Sequence, residues 1–564
     1  MSRTAARILV DQLLIQGVDH VFCVPGESYL AVLDALFDAP GIRLIVNRHE
    51  SGSTFMADAY AKLTGRPGVA FVTRGPGATN AAIGVHTAFQ DSSPLLLFIG
   101  QVGNDFVERE AFQEIDYRRM YGQMAKWVAQ IDVAARIPEF VAHAFQVATS
   151  GRPGPVVLAL PEDLLEQSAE VPDAARHQPV QSAPSDEQIA ALRERLARAR
   201  APLVLLGGSG WTSAACDDLR RFAEANALPV ACAFRRQDLL DNRHPNYVGD
   251  VGIAINPKLA QRVRDADLLL AVGPRLDEMT TSGYSLLSVP RPQQALVHVH
   301  AGAEELGRVY QAELMIASGM PQIAARLASM PPIASPPWAA ATRQARAEYE
   351  AWQAEAPVYG EASPPLDLRR MVRSLQEATP ADTIVANGAG NFATWAHRYW
   401  RYGGLRTQLA PTAGSMGYGV PAGVAAKLIA PERTVVTFAG DGDFLMTGQE
   451  LATAAMYRAG LLVLVFNNGM YGTIRMHQER HHPGRVIGTQ LANPRFDLLA
   501  QSFGAFGAAV ETNAQFDVAL AEALAFTREQ RLPALIELRV DPEVISPSAT
   551  LAALRAGAPP TQTR

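Results

Sequence analysis

Two short motifs carry the residues of this chain whose types and spacing could do chemistry. Gly440-Asp441-Gly442-Asp443-Phe444 follows a β-branched run at 434–438, and Asn467-Asn468 closes an apolar run at 461–466, with an amphipathic stretch at 445–457 between them. A strand that ends in a glycine turn, opens a helix and returns as a second buried strand leaves Asp441 and Asn468 at the C-terminal edge of neighbouring parallel strands. Asp441 offers a hard carboxylate and Asn468 a neutral amide oxygen. That pair suits a small octahedral cation, which takes its other ligands from water and from a substrate or cofactor diphosphate. Gly440 and Gly442 let the backbone approach such phosphates, with donors at the helix start facing the anion. A lone Gly-Asp-Gly is also ordinary turn chemistry; its pairing with Asn468 gives the motif its specificity.

The elements that hold these residues follow from the whole chain. At 564 residues it exceeds a single core, and 48% hydrophobic against 19% charged residues fits a compact globular protein that also buries surface between subunits. A net charge of −6 leaves no basic footprint for nucleic acid. Cys23, Cys216 and Cys232 are scattered with no CxxC, which reads as reduced cytosol. The N-terminus enters an amphipathic helix at once, without a signal-peptide core, and no apolar run approaches the roughly 20 residues of a membrane helix. A soluble, cytoplasmic protein is expected. Lysines are confined to Lys62, Lys126, Lys258 and Lys427, which singles each of them out.

From residue 5 helix and strand alternate. Helices are expected over 5–16, 29–37, 50–63 and 78–89, and strands over 21–24, 43–46, 69–73 and 95–99, the last closing the series; Gly65 reads as a left-handed helix cap. Residues 168–187, rich in Pro, Ala and Ser, read as a linker. A second α/β unit has strands over 203–206, 230–232, 268–272 and 296–300. Its Gly207-Gly208-Ser209-Gly210 turn is equally a phosphate cradle or a tight strand-to-helix turn. A helical connector over 338–354 lies between the proline-rich 330–337 and the break Ser363-Pro364-Pro365, and the last unit, from near Asp367, has strands over 384–386, 434–438, 461–466 and 534–540. Such alternation implies doubly wound parallel sheets with right-handed crossovers and ligands off the C-terminal strand ends. The expected domains are 1–168, 188–332 and 360–545, with a tail at 546–564.

The Gly-Asp-Gly, spacer and Asn-Asn arrangement resembles the diphosphate–magnesium motif of the thiamine diphosphate enzymes. Thiamine chemistry also needs an acid at the aminopyrimidine, and Asn47-Arg48-His49-Glu50 places Glu50 where a strand ends and a helix begins, at the ligand edge of the first sheet. An N-terminal helix acid favoured by the macrodipole is the other reading of Glu50. The surrounding text decides between them. Arg48-His49-Glu50, Ala57-Asp58-Ala59-Tyr60-Ala61, Gly75-Pro76-Gly77-Ala78-Thr79-Asn80, Ala111-Phe112-Gln113-Glu114, Gly151-Arg152-Pro153-Gly154-Pro155 and Gln449-Glu450-Leu451-Ala452 are similar to the acetolactate synthase family, in order and over nearly the whole chain.

That resemblance implies three domains that bind pyrimidine, a central ligand and diphosphate. It implies thiamine diphosphate and Mg2+ as cofactors, with Glu50 activating the pyrimidine and Asp441, Asn468 and the Met470 carbonyl holding the metal. Pro25, Gly26, Asn80, Asn391, Gly414, Met416, Gly440, Gly442, Asp443 and Tyr471 match further cofactor positions, Met416 as the wedge that bends the cofactor; a mid-helix or core methionine is the alternative there. Gln113 and Lys126 match catalytic-side positions, and Phe112 lines the substrate with them, although Lys126 also reads as a surface lysine. In this family one subunit supplies the glutamate and its partner the diphosphate site, so a homodimer or dimer of dimers is implied. A separate small regulatory subunit would leave no trace in this chain.

Departures cluster at the substrate pocket, assigned to Glu27, Ser28, Phe112, Gln113, Ile474, Arg475 and His477. Glu27-Ser28-Tyr29 stands where the family carries glycine and a small residue, which aims a carboxylate and a phenol at the reacting carbon unless Ser28 simply caps a helix. His477 replaces a tryptophan, and with Arg475 it argues for a more polar pocket than two pyruvates need. His481-His482-Pro483-Gly484 reads as a mobile loop rather than a metal site. Gly273-Pro274-Arg275-Leu276-Asp277 resembles a flavin-contacting segment, so a structural FAD is expected in the central unit, although His298-Val299-His300 departs from the acidic strand end usual there. The leading expectation is a carboligase that decarboxylates a 2-oxo acid such as pyruvate and transfers the acyl group to a second carbonyl. Its rivals are another 2-oxo acid decarboxylase, a lyase of 2-hydroxyacyl thioesters or hydroxyketones, a flavin-dependent oxidase, and a non-catalytic homologue.

Overall fold

The computed structural model describes residues 2–359 and 364–557, and Ser363 of the expected break lies outside them. Two compact units are distinguished, residues 1–180 and a larger unit that takes in most of 181–564. The first unit is built on six parallel strands in the order Arg43–Val46, His20–Cys23, Gly68–Val72, Leu95–Gln101, Pro155–Pro161, Trp127–Gln130. Apolar runs buried on both faces, such as Leu95–Gln101 and Pro155–Pro161, leave no alternation because helices cover both sides. Residues after Leu95–Gln101 do not close the series as expected: Trp127–Gln130 and Pro155–Pro161 join the same sheet. Pro155 and Pro161 terminate the second of these, positions where a strand tolerates the missing donor.

The larger unit holds two such sheets. One runs Tyr247–Asp250, Val230–Cys232, Pro202–Leu206, Leu268–Val272, Ala295–His300, Leu314–Ala317, and the other Gln408–Leu409, Ile384–Asn387, Val435–Gly440, Leu462–Asn467, Ala534–Arg539, Phe506–Val510, all parallel. The strands absent from the expected set, Tyr247–Asp250, Leu314–Ala317, Gln408–Leu409 and Phe506–Val510, all lie at sheet edges, and Leu314–Ala317 and Phe506–Val510 are only partly buried. The linker ends earlier than expected, at Ser185, whose side chain makes a capping box with Gln188 and starts helix Asp186–Arg198. The connector is the helix Ala339–Ala354, and the Nε1 of the preceding Trp338 donates to the Asn226 carbonyl at 2.9 Å.

Helix Glu50–Thr64 starts after the strand Arg43–Val46 and ends at Gly65, whose φ of +73° is the expected left-handed cap. Its neighbour, helix Pro76–Asp91, is fastened to it by Lys62, whose ammonium lies 2.8 Å from Asp58 and also binds Asp91. All three side chains are nearly or fully withdrawn from solvent. At the other end of the chain, strands Val544–Ser546 and Ala549–Thr550 and helix Leu551–Arg555 pack Ile545, Ala549, Leu551 and Leu554 around Met470. Arg555 reaches Glu479 at 3.1 Å, and Glu479 also accepts from Arg475 at 2.7 Å and from the Gly484 amide at 3.0 Å.

Lys62→Met leaves two buried carboxylates uncompensated, and equilibrium urea unfolding should show a loss of about 3–5 kcal/mol. Glu479 behaves differently with pH. Arg555, the Gly484 amide and Arg475 hold its carboxyl down at about 2 against the burial that opposes them. Its contribution is therefore present above the ordinary carboxylate range and lost as pH falls through about 2. Proteolysis within 544–555 should rise in acid for the natural protein, and at neutral pH already for Glu479→Gln.

Candidate active site

Strand Val435–Gly440 lies beside Leu462–Asn467 with Gly440 opposite Phe466, so Asp441 and Asn468 leave adjacent strands at one edge. Asp441 opens helix Asp441–Thr447; its Oδ1 accepts from the Gly442 amide at 2.9 Å, and its Oδ2 accepts from the Gly469 amide at 2.9 Å and from the Asn493 side chain at 2.7 Å. Burial raises its pKa, and a divalent cation at this point would hold it ionised. Asn468 Oδ1 accepts from the Met470 amide at 3.1 Å, while Met470 bridges to Gln490 and buries its side chain in the C-terminal cluster. Asp441, Asn468 and the Met470 carbonyl form a hard, all-oxygen set of the kind that Mg2+ accepts together with water and phosphate oxygens. Among the described residues no group of three or more His, Cys, Asp or Glu gathers as a metal site.

The glycines here answer first to packing. A Cβ on Gly442 would sit 2.5 Å from the Tyr471 ring, and one on Gly440 would sit 2.9 Å from the Phe392 ring. Asp443, expected on the cofactor, points into the protein: it is buried and accepts from the Ala389 amide at 3.0 Å and the Gly417 amide at 2.9 Å. Burial pushes its carboxyl up to about 7. It thus ties the loops that follow strands Ile384–Asn387 and Gln408–Leu409. One of these loops carries Gly414, at φ +68°, and a half-buried Met416 on a turn, so Met416 is not the mid-helix residue of the alternative reading. Asn391, on the other loop, accepts from the Thr473 hydroxyl at 3.1 Å.

In the first unit the same edge logic gathers Pro25–Ser28, Glu50, Gly75–Asn80 and Gln113. Glu50 is 9% exposed, and its Oε2 accepts from the Asn80 side chain at 2.9 Å, while a Cβ on Gly77 would lie 3.3 Å from its Oε1. Glu50 therefore lies in the first helical turn, as a macrodipole acid would, and also faces the first turns of helix Pro76–Asp91. Pro25 is exposed at the end of the strand His20–Cys23. Gly26 tolerates no Cβ, which would meet Thr73 at 2.5 Å. Ser28 caps no helix: buried in the short 3-10 turn Glu27–Tyr29, its hydroxyl bonds the Thr73 hydroxyl at 2.8 Å. Tyr29 is buried too and donates to the Val24 carbonyl at 2.6 Å, so its phenol does not reach a substrate.

Arg74 organises the rest of this edge; in the sequence it stands just ahead of the Gly75-Pro76-Gly77 motif and carries no signal of its own. Its Nε donates to the Phe112 carbonyl at 3.2 Å, its Nη1 reaches Glu162 at 2.7 Å, and its Nη2 lies 3.6 Å from Glu27, which is 68% exposed. Phe112 is 72% exposed beside Gln113, whose φ of +65° presses it against Gly75. Lys126 is a correction. It precedes strand Trp127–Gln130 at the opposite edge of the sheet from Glu50, and its ammonium bonds the Ser150 carbonyl at 2.8 Å and that of Val147, closing helix Ile137–Thr149.

Helix Gly472–His481 sorts the last candidates. Ile474 and His477 are exposed, with the His477 ring parallel to that of His481 at 6.3 Å, and burial with neighbouring Arg480 and His481 lowers its pKa. Arg475 is turned to Glu479 instead, which removes it from any pocket lined by His477. His481 is the last residue of this helix, and the expected loop begins only at His482, with Pro483-Gly484 in a turn. In the central sheet, Arg275 lies 3.5 Å from Glu305 and His300 bonds the Gly302 backbone, so the strand end offers no free acid of the kind a dinucleotide ribose takes. The residues do not fit the expected FAD on this point.

Comparison with known proteins is consistent along the chain. The thiamine pyrophosphate enzyme N-terminal TPP binding domain matches residues 3–120, the central domain matches 189–327, and the C-terminal TPP binding domain matches 388–538. The acetolactate synthase large subunit of Lactococcus lactis is 30% identical, covering 89% of this chain and 87% of its own length. The acetolactate synthase isozyme 2 large subunit of Escherichia coli is 30% identical over 91% of this chain and 92% of its own, and the large subunit of Parasynechococcus marenigrum is 32% identical over 95% and 87%. With an α/β fold of three six-stranded parallel sheets and matches to all three domains, the chain belongs to the thiamine pyrophosphate enzyme family, in its acetolactate synthase-like branch.

Proposed function

We propose that this chain is a thiamine diphosphate- and Mg2+-dependent carboligase that decarboxylates a 2-oxo acid, pyruvate in the first instance, and transfers the acyl group to a second carbonyl. The observation that carries the reading is the pair Asp441 and Asn468 on adjacent strand ends, both presenting oxygen. When bound, thiamine diphosphate supplies an electron sink that lets a bond next to a carbonyl break. Asp441, Asn468 and the Met470 carbonyl would hold the metal on its diphosphate. Glu50, with Oε2 fixed by Asn80, leaves Oε1 to bond the aminopyrimidine ring nitrogen and keep its proton in place. Met416 supports the cofactor, Phe112 and Gln113 border the substrate, and Ile474 and His477 border the acceptor.

Arg475 turned to Glu479 weakens the case for a strongly polar pocket and favours a small 2-oxo acid. Exposed Glu27 beside Arg74 supports the second reading, a lyase of hydroxyacyl substrates. By family likeness, Glu50 of one subunit and Asp441 of another complete one site, which makes the working form at least a dimer.

Purified protein given Mg2+, thiamine diphosphate and pyruvate should release carbon dioxide and form acetolactate; absence of both products with pyruvate would remove this assignment in favour of the lyase. Glu50→Gln should lower kcat by at least about a hundredfold while cofactor affinity is kept. Glu50→Gln and Asp441→Ala chains, each inactive alone, should recover roughly a quarter of full activity when unfolded and refolded together, because half the dimers are mixed and each carries one intact site. No recovery would place both groups on the same subunit.

A further inference from the structure

The segment that follows the central strand Val230–Cys232 joins the other sheet of the larger unit. The Gln237 amide donates to Oε1 of Gln408 at 2.9 Å, and the Gln408 side chain donates back to Oε1 of Gln237 at 3.0 Å. Buried Asp238 accepts from the Arg406 amide at 2.8 Å. These contacts lie at and before the edge strand Gln408–Leu409. Arg235 reaches past them. It is 5% exposed and sits at φ +58°, a left-handed conformation that is unfavourable for any residue with a Cβ. Its Nη2 donates to the Gly388 carbonyl at 3.1 Å and its Nη1 to the Pro411 carbonyl. Each carbonyl belongs to a loop that leaves the C-terminal end of a strand, Ile384–Asn387 for the first and Gln408–Leu409 for the second.

Asp443 holds the same two loops by their amides. Gly388 and Ala389 share one peptide group, whose oxygen accepts from Arg235 and whose nitrogen donates to Asp443 at 3.0 Å. In the second loop Arg235 takes the Pro411 carbonyl at the start, and Asp443 takes the Gly417 amide at 2.9 Å near the end. Gly414 and Met416 lie between those two points, and Asn391 lies just past Ala389. A guanidinium carries its donors in a rigid plane, so it fixes two carbonyls at a set separation, which an ammonium does not. An ionised carboxylate only accepts and a guanidinium only donates, so neither residue can replace the other. Gln237 and Asp238 already join the sheets, and a left-handed arginine committed to two loop carbonyls points to a constraint on the loops themselves.

We propose that Arg235 is a positioning residue for the cofactor: by holding the loops at 388–391 and 411–417 from their carbonyl side, it sets the spacing of Asn391 and Met416 in which thiamine diphosphate is received. It acts through the loop backbones and not by contact with the cofactor. The proposal rests on the thiamine reading of those two loops.

Two measurements on the full-length protein test it: isothermal titration with thiamine diphosphate in the presence of Mg2+, and hydrogen exchange of the cofactor-free protein. Arg235→Met should weaken thiamine diphosphate binding by at least about tenfold, the effect of losing a group that orients a binding shell. It should also speed exchange in peptides spanning 388–391 and 411–417. Arg235→Lys, which keeps the charge without the fork, should weaken binding by at least about threefold, and it decides the matter if Arg235→Met does not fold. Gln237→Ala removes contacts between the same two sheets and should lower the thermal midpoint while leaving cofactor affinity within about twofold. Unchanged affinity in the folded Arg235 variants overturns the proposal, as does unchanged exchange at both loops. A loss of affinity in Gln237→Ala as large as that in Arg235→Met overturns it too, because Arg235 would then be one sheet contact among several. A natural protein that binds no thiamine diphosphate removes the cofactor reading itself, and the proposal with it.

Discussion

Parallel pairing is the constraint on which this molecule depends. In a parallel sheet every strand delivers its last residue to the same edge, and helices must return the chain on the faces. Gly440 opposite Phe466 therefore puts Asp441 and Asn468 side by side, although a whole helical crossover separates them in the chain. The first sheet uses the same rule to bring Ser28, Glu50 and Thr73 to one end. Loops alone would not hold such groups in register; here each is anchored by a strand a few residues away.

Polar groups inside the fold then position the loops that leave those edges. Asp443 draws the Ala389 and Gly417 amides together, Arg74 links the Phe112 carbonyl to Glu162 and Glu27, and Lys62 locks the helix that carries Glu50 to the helix that carries Asn80. Each is buried, so each must be satisfied by partners within the protein. The residues that meet a ligand are thereby separated from the residues that aim them, and the second class is the harder one to see in a sequence.

Much of the architecture was legible because central strands of parallel sheets are continuous apolar runs bounded by glycine. Strands Val230–Cys232 and Leu268–Val272 fall where the runs predicted, and so does the Gly65 cap. The edge strand Gln408–Leu409, two residues long and half polar, carries no such run. Motif spacing predicted Asp441 and Asn468 on adjacent strand ends, as found, but said nothing of Asn493, a loop residue whose contact with Asp441 is set by tertiary folding alone. Arg475 was readable in principle, since Glu479 lies one helical turn on and offers the nearest partner. Lys126 could be placed only by knowing which end of its strand faces the ligand edge.

The double use of Glu479 has a consequence for how this protein can change. Because Arg475 and Arg555 share one carboxylate, Arg475 can be lost by mutation while Arg555 still pairs with the acid and keeps the helix attached to the C-terminal segment. Position 475 is thus buffered. Its neighbours Ile474 and His477 lie on the exposed face of the same helix, so drift at 475 can retune the border of the pocket without first dismantling its support.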